Sequence, residues 1–120
     1  MVPATGACLR NQRMIMVTTN TVAEARIVRT VGQAFGVVVR SRGLGGNLMA
    51  GLRSILGGEI VEYTQMLEES RRHALDRLAK NAARMGGNAV LAMRFDSSEI
   101  GQTMTEIVAY GTVAVIEKLP

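Results

Sequence analysis

The chain has 120 residues, the length of a single domain, and 48% of them are apolar, which is enough for a hydrophobic core. Only 3% are aromatic, the net charge is +4 and there is one cysteine. This composition excludes a disordered chain and an intrachain disulfide, and it lacks the basic, aromatic character of a nucleic-acid-binding face, so no nucleic-acid partner is expected. No apolar run approaches the ~18 residues of a membrane span and no secretory signal is visible, so we expect a soluble, cytoplasmic protein without a membrane partner.

The N-terminal part of the chain divides into a polar extension and a β-rich stretch. Residues 1–13 show no hydrophobic period, so we expect a disordered extension followed by a single domain over residues 14–120. A short strand is predicted for residues 14–18. A longer strand is predicted for residues 25–40, which are rich in β-branched side chains.

Two helices are predicted after that strand. Asn47 is a good N-cap for a short helix that ends near residue 56, and a long helix is predicted for residues 59–85. The apolar stripe of the long helix consists of Ile60, Tyr63, Leu67, Ala74, Leu78, Ala82 and Met85, with Arg71 interrupting it. At ~1.5 Å per residue such a helix is ~40 Å long, against a radius of gyration of ~13 Å for a domain of this size. It therefore crosses a whole sheet or reaches a neighbouring subunit.

Two strands complete the chain, over residues 89–96 and 104–117, and residues 97–102 form a connection short enough for an antiparallel hairpin. The last strand is apolar on both faces, whereas an antiparallel sheet in a monomer usually leaves one face polar. This excess predicts burial against another subunit. Together the elements predict an α+β fold in which an antiparallel sheet packs with one long and one short helix, in an oligomer.

A set of short motifs runs from about residue 17 to residue 119. They are Thr18-Thr19, Gly36-Val37-Val38, Ala50-Gly51-Leu52-Arg53, Gly57-Gly58, Tyr63, Leu78, Gly86, Asn88-Ala89-Val90, Asp96, Gly101 and Gly111-Thr112. On these motifs the chain resembles the YbjQ-like family, small bacterial proteins described as putative heavy-metal-binding domains. The resemblance implies a fold close to the dodecin-like type and a homopentamer, and it implies no known reaction.

The sequence departs from the family pattern at three positions that bear on metal binding. Phe35 stands where some relatives have a cysteine, Arg94 where an acidic residue is common, and Ser54 where an aspartate is frequent. Each change removes a ligand or a negative charge. The expectation of metal binding is therefore weaker for this chain than for its relatives.

A metal site needs several Cys, His or carboxylate ligands that converge on one point. The chain has one histidine, His73, which forms an i,i+4 pair with Glu69 on the long helix, and it has Asp96 and Glu99 around the last connection. His73, Asp96 and Glu99 are the candidate ligands for a divalent metal ion, whose identity the sequence leaves open. In a symmetric oligomer one such residue is repeated in every subunit. The alternatives are a solvated histidine on a charged helix face and an ordinary polar turn.

The glycine-rich loop before the short helix is a candidate anion or nucleotide site. Its residues are Arg40, Arg42, Gly43, Gly45, Gly46 and Asn47. Backbone N–H groups at a helix N-terminus, together with two guanidinium groups, are suited to holding an anion. The known phosphate motifs do not fit, because Leu52-Arg53 follows Gly51 where a Walker A motif has Lys-Ser/Thr. The alternative is a flexible connection or a close subunit contact.

No catalytic residues are predicted, because the chain has no nucleophile-elbow sequence and no partner for the two carboxylates. We therefore do not expect an enzyme. The leading hypothesis is a non-enzymatic oligomeric binding module that takes a heavy metal at subunit interfaces. Two alternatives remain: a structural or protein-interaction homopentamer without a ligand, and an anion or nucleotide binder that uses the loop from Arg40 to Asn47.

Overall fold

The computed structural model describes residues 14–41, 61–101 and 103–120 of the chain. Their elements are β1 (Ile15–Met16), β2 (Ala25–Ser41), α1 (Val61–Arg84), β3 (Ala89–Ile100) and β4 (Met104–Lys118). The α+β class is confirmed. The extension predicted over residues 1–13 and the short helix predicted from Asn47 to about residue 56 lie outside the described residues. Within the described ranges, no helix combines the length and the apolar character needed to cross a membrane.

The four strands form one sheet in the order β1-β3-β4-β2. β1 runs parallel to β3, with Ile15 opposite Ala89 and Met16 opposite Val90, so the prediction of a wholly antiparallel sheet is wrong at this strand. β1 is very short, and its direction is set by hydrogen bonds to a distant part of the chain, such as the one from Val17 N–H to Val90 O (3.0 Å). Local hydrophobic periodicity carries no information on a pairing of this kind.

β3 and β4 form the predicted hairpin, but their connection is shorter than expected. The prediction of a connection over residues 97–102 is wrong, because β3 continues to Ile100. Gly101 follows with a φ of 65°, a left-handed conformation that favours glycine. The Ser98 hydroxyl donates to Glu106 Oε1 (3.1 Å), as expected for residues that face each other across an antiparallel pair. The polar composition of this stretch is typical of a loop, although its residues belong to a paired strand.

The described residues form two compact units, of which the first consists of residues 14–34, 79–93 and 111–120. Its core is a cluster of Ala89, Leu91, Ala114 and Ile116, against which Val17, Val22 and Ala25 pack. Asn88 joins the two strands of this core with its side chain. Its Nδ2 donates to Ile116 O (2.9 Å), and its Oδ1 accepts from Ile116 N–H (2.8 Å). The amide group therefore bonds Ile116 as the backbone of a paired strand would.

A β-bulge interrupts β3 at Ala92, which has a φ of 52°. The N–H groups of Ala92 and Met93 both donate to the segment before β2, at Thr19 O (2.8 Å) and Val17 O (2.9 Å). In a regular strand, N–H groups of neighbouring residues point to opposite sides, so two consecutive donors to one segment identify a bulge. The bulge changes the face on which the later side chains of β3 lie.

β4 shows a corresponding change of phase, because the neighbouring residues Val113 and Ala114 are both buried. Val113 lies against Gly87, and Ala114 belongs to the core cluster of the first unit. The segment before β2 covers Ala114 and Ile116, so their burial needs no second subunit. Part of the apolar excess in the last strand is therefore buried within the chain itself.

The second unit consists of residues 35–41, 61–78, 94–101 and 103–110. Here α1 lies on β2 at Gly36, where a methyl group would stand 2.5 Å from Leu78 N and 2.9 Å from Arg77 Cβ. Such a close approach requires a strand residue without a side chain.

The predicted apolar stripe of α1 is buried only in part. Ser70 and Ala74 are fully buried on α1, whereas Leu67 and Met85, which the predicted apolar stripe includes, are each 39% exposed. The stripe prediction holds at Ala74, Leu78 and Ala82, which are fully buried. It is wrong at Leu67, which borders an open cleft, and at Met85, which lies beyond the end of α1 at Arg84. The buried Ser70 hydroxyl donates to Met66 O (2.8 Å), which satisfies it within the helix.

Among the described strands, β2 lies at an edge of the sheet. Just before it, Glu24 O accepts from Leu119 N–H (2.8 Å), which connects this end of the strand to the end of β4. Further along, Arg77 Nη1 donates to Val37 O (2.6 Å), so this carbonyl is bonded by a helix side chain.

Candidate functional site

Two residues predicted for different sites meet near the end of β2, in the second unit. Arg40 Nη2 lies 3.1 Å from His73 Nδ1 and 3.8 Å from Glu69 Oε1. His73 Nε2 lies 3.9 Å from the same Glu69 oxygen. Glu69 and His73 are one turn apart on α1, so their side chains are neighbours on one helix face. The structure therefore brings together one candidate anion ligand and one candidate metal ligand.

The hydrogen bond from Arg40 determines which nitrogen of the His73 imidazole accepts a hydrogen bond and which one carries the proton. A guanidinium group can only donate, so Nδ1 accepts and the neutral ring carries its proton on Nε2, the nitrogen nearer to Glu69. A metal ion needs the lone pair of an imidazole nitrogen, and here it would also stand beside a permanent positive charge. This cluster does not fit a bound cation.

Asp96 and Glu99 do not converge, because both belong to β3 and not to a turn. Side chains three positions apart in a strand lie on opposite faces of the sheet. Glu99 lines a cleft on the side of α1. Asp96 lies on the other face, together with Ser98 and its partner Glu106. The expectation that these carboxylates share a site depended on a loop that the structure replaces with paired strand.

The metal expected from the family has no complete ligand set in the described part of one chain. No three His, Cys, Asp or Glu residues within it come close enough to hold an ion. Of the candidate anion site, the structure describes Arg40, which contacts His73 and Glu69. The other members, Arg42, Gly43, Gly45, Gly46 and Asn47, lie outside the described residues, so that site stays a prediction.

A cleft of about 520 Å³ lies within the second unit between α1 and the β3–β4 hairpin. Its lining combines apolar, hydroxyl and charged groups, which include the side chains of Met66, Leu67, Arg71, Ser97, Glu99, Thr105 and Ile107. The guanidinium carbon of Arg71 lies 5.0 Å from the centre of the Phe95 ring, a cation–π contact. In sequence Arg71 is only an interruption of the helix stripe. This interruption draws attention to Arg71, but the cleft itself depends on residues of another element such as Phe95.

Comparison with known proteins places this fold in a family. A family model described as "Putative heavy-metal-binding" matches residues 14–117. A UPF0145 protein of Bradyrhizobium sp. strain ORS 278 is 73% identical over 104 residues, which cover 87% of this chain and 94% of the relative. A UPF0145 protein of Thermoplasma volcanium is 58% identical over 104 residues, which cover 87% of this chain and 85% of the relative. The relatives include archaeal proteins, so the family is not restricted to bacteria.

A solved structure supports the fold alone. It is a protein of unknown function from Pediococcus pentosaceus, of the DUF74 family, with a TM-score of 0.62 and 15% identity, covering 87% of this chain and 98% of that one. The descriptions of these proteins name no reaction. Because the family model matches most of the chain and close relatives match over nearly their full length, the chain belongs to the YbjQ (UPF0145) family.

Proposed function

We propose that this chain is a non-enzymatic binding module that acts as a homo-oligomer, a pentamer as the family resemblance implies, with its ligand site completed between subunits. The observation that carries the proposal is an exposed apolar surface on the second unit. We call this surface the outer face: the side of the sheet opposite α1, formed by Phe35, Val37, Val39, Val108 and Tyr110.

The alternation of buried residues defines the outer face. On β2, Ala34, Gly36 and Val38 are buried on the side of α1, so the residues between them lie on the opposite side. Phe35 is 58% exposed and Val39 is 50% exposed. Scattered apolar residues are common on protein surfaces, but aligned ones on neighbouring strands form a patch of the kind that marks an interface.

Burial of the outer face by a second copy would be favourable. A fully buried Phe side chain contributes ~1.5–3 kcal/mol relative to an exposed one, so Phe35 alone would add about 1–2 kcal/mol per subunit. The same face carries the basic Arg94 and the acidic Asp96 on β3 and the acidic Glu106 on β4. Charges of both signs allow this face to pair with a different part of the neighbouring copy, as the head-to-tail contacts of a ring require.

The outer face also relates the assembly to metal binding. Asp96 lies on it, and in a ring that turns this part of the face toward the symmetry axis the carboxylates of all copies would approach one another. Symmetry would then supply the several oxygen ligands that a hard divalent ion requires and that a single chain lacks. This arrangement favours Asp96 over His73 as the ligand of such a site.

Native mass spectrometry of the metal-loaded protein tests the proposal. We expect the wild-type chain to be an oligomer and Phe35→Glu to shift it to monomer while the far-ultraviolet circular dichroism is retained. Leu119→Glu is the matched control, because Leu119 is also about half exposed but lies in the first unit, and it should leave the mass unchanged. A monomeric wild type, or an oligomer unaffected by Phe35→Glu, would refute the role of the outer face. Loss of bound divalent metal in Asp96→Asn but not in His73→Ala would support the interface site. If no metal binds at saturation, the metal site is refuted and only the proposed assembly remains.

A further inference from the structure

The cleft between α1 and the β3–β4 hairpin combines apolar and polar lining groups. Met66 and Leu67 from the helix and Ile107 from β4 are its apolar residues, and Ser97 and Thr105 contribute hydroxyl groups. Its volume of about 520 Å³ lies in the range of pockets that take small organic ligands, ~300–1,000 Å³. An apolar lining with a few polar groups is the usual composition of such pockets.

Arg71 provides the cation of this cleft, and its orientation is constrained by Phe95. The guanidinium carbon stands over the Phe95 ring, 5.0 Å from its centre. The five N–H donors of a guanidinium group lie in one plane. Donors in this fork geometry match the two oxygens of a carboxylate, and the resulting charge-assisted pair is stronger than a neutral hydrogen bond.

Glu99 limits the charge of the ligand. It lines the same cleft, so one cation and one anion face the same space. A nucleotide or another polyanion would be repelled by this carboxylate at close range, whereas a single carboxylate can bind Arg71 and keep its apolar part against Met66 and Leu67. We propose that the cleft binds a small monocarboxylate with an apolar tail, such as a medium-chain fatty acid.

This inference goes beyond the proposed assembly and does not depend on it. The residues of the cleft lie on the side of α1, whereas the outer face lies on the opposite side of the sheet. Ligand binding at the cleft and oligomer formation are therefore measured separately, and either can fail while the other holds.

The test is titration calorimetry of the full chain with octanoate, octan-1-ol, acetate and inorganic phosphate, each kept below any micelle concentration. We expect octanoate to bind at least about 10-fold more tightly than octan-1-ol, equivalent to about 1.4 kcal/mol from the charged contact. Acetate, which lacks the tail, and phosphate, which carries more charge, should bind more weakly than octanoate.

Substitutions test whether Arg71 binds the carboxylate of octanoate. Arg71→Met should remove the preference for octanoate over octan-1-ol, and Arg71→Lys should retain part of it, because lysine keeps the charge but not the fork. Arg72→Met is the matched control, since Arg72 pairs with Glu68 (3.7 Å) and does not line the cleft. The inference is overturned if octanoate shows no saturable binding to the wild type, if Arg71→Met binds it equally well, or if phosphate binds as tightly. Circular dichroism and the unfolding midpoint of each variant show that a lost affinity does not reflect a lost fold.

Discussion

Replacing Asn88 with alanine should lower the free energy of unfolding by about 3 kcal/mol, a large effect for a polar residue. The side-chain amide makes two hydrogen bonds with the backbone of Ile116, at 2.9 Å and 2.8 Å, and alanine removes both. Ile116 is buried, so its N–H and C=O would have little access to water as a replacement. Each buried polar group left without a partner costs ~1–3 kcal/mol, and because Asn88 itself is only half-buried we take about 1.5 kcal/mol for each.

Urea denaturation followed by circular dichroism measures this loss. With a slope of about 1.5 kcal/mol per molar urea, the midpoint of Asn88→Ala should fall by about 2 M. Asn88→Asp keeps the acceptor for Ile116 N–H but sets a carboxylate oxygen, which cannot donate, against Ile116 O, so it should also destabilise the chain. Asn20→Ala, at an exposed turn position, is the control and should change stability by less than about 0.5 kcal/mol. Repeating the series at several protein concentrations separates the local effect from subunit dissociation. A loss below about 0.5 kcal/mol for Asn88→Ala, or an unchanged stability for Asn88→Asp, would refute the reasoning.

Two further substitutions test backbone geometry by the same denaturation assay. Gly36→Ala should destabilise the chain by about 3 kcal/mol, because the added methyl meets the helix backbone at Leu78, whereas Gly86→Ala, which has open space around it, should lose only the ~1 kcal/mol of a left-handed conformation. Equal losses of stability in Gly36→Ala and Gly86→Ala would show that the close approach of α1 does not cause the destabilisation at Gly36. Ala92→Gly should leave stability unchanged or raise it by up to about 1 kcal/mol, since glycine relieves the positive φ at the bulge, and Ala109→Gly in the buried, regular part of β4 should destabilise. A loss at Ala92 as large as that at Ala109 would contradict the bulge assignment.

The elements with long, regular patterns were predictable from the sequence. The β-branched run of β2 and the long helical period of α1 are local signals, and the structure places both elements close to the expected residues. What could not be predicted is set by distant partners. The parallel pairing of β1 depends on Val90, and the orientation of α1 depends on the absence of a side chain at Gly36. The bulge at Ala92 depends on hydrogen bonds that Ala92 and Met93 donate to carbonyls of the segment before β2.

In the candidate site, too, the residue types could be predicted from the sequence but their contacts could not. The residue types were visible in the sequence, but whether Asp96 and Glu99 converge depends on whether they lie in a turn or in a strand, and a polar hairpin has the composition of either. Arg40 was predicted to bind an anion and His73 a metal ion, whereas the structure places these two side chains in contact with each other. In the sequence, Arg71 was visible only as a charged residue that interrupts the apolar stripe of the helix. Its place in the cleft depends on Phe95, a residue on another element.

The hydrogen bond from Arg77 to Val37 O has a consequence for the solubility of the protein at high concentration. β2 is long and lies at an edge of the sheet that the described strands form, and edge strands can recruit extended segments of other molecules into open-ended fibrils. A foreign strand that used Val37 O as an acceptor would have to displace the guanidinium group and leave a positive charge at the new junction. Fibril growth from this point would begin with an energetic loss, which favours assemblies of defined size over indefinite polymers.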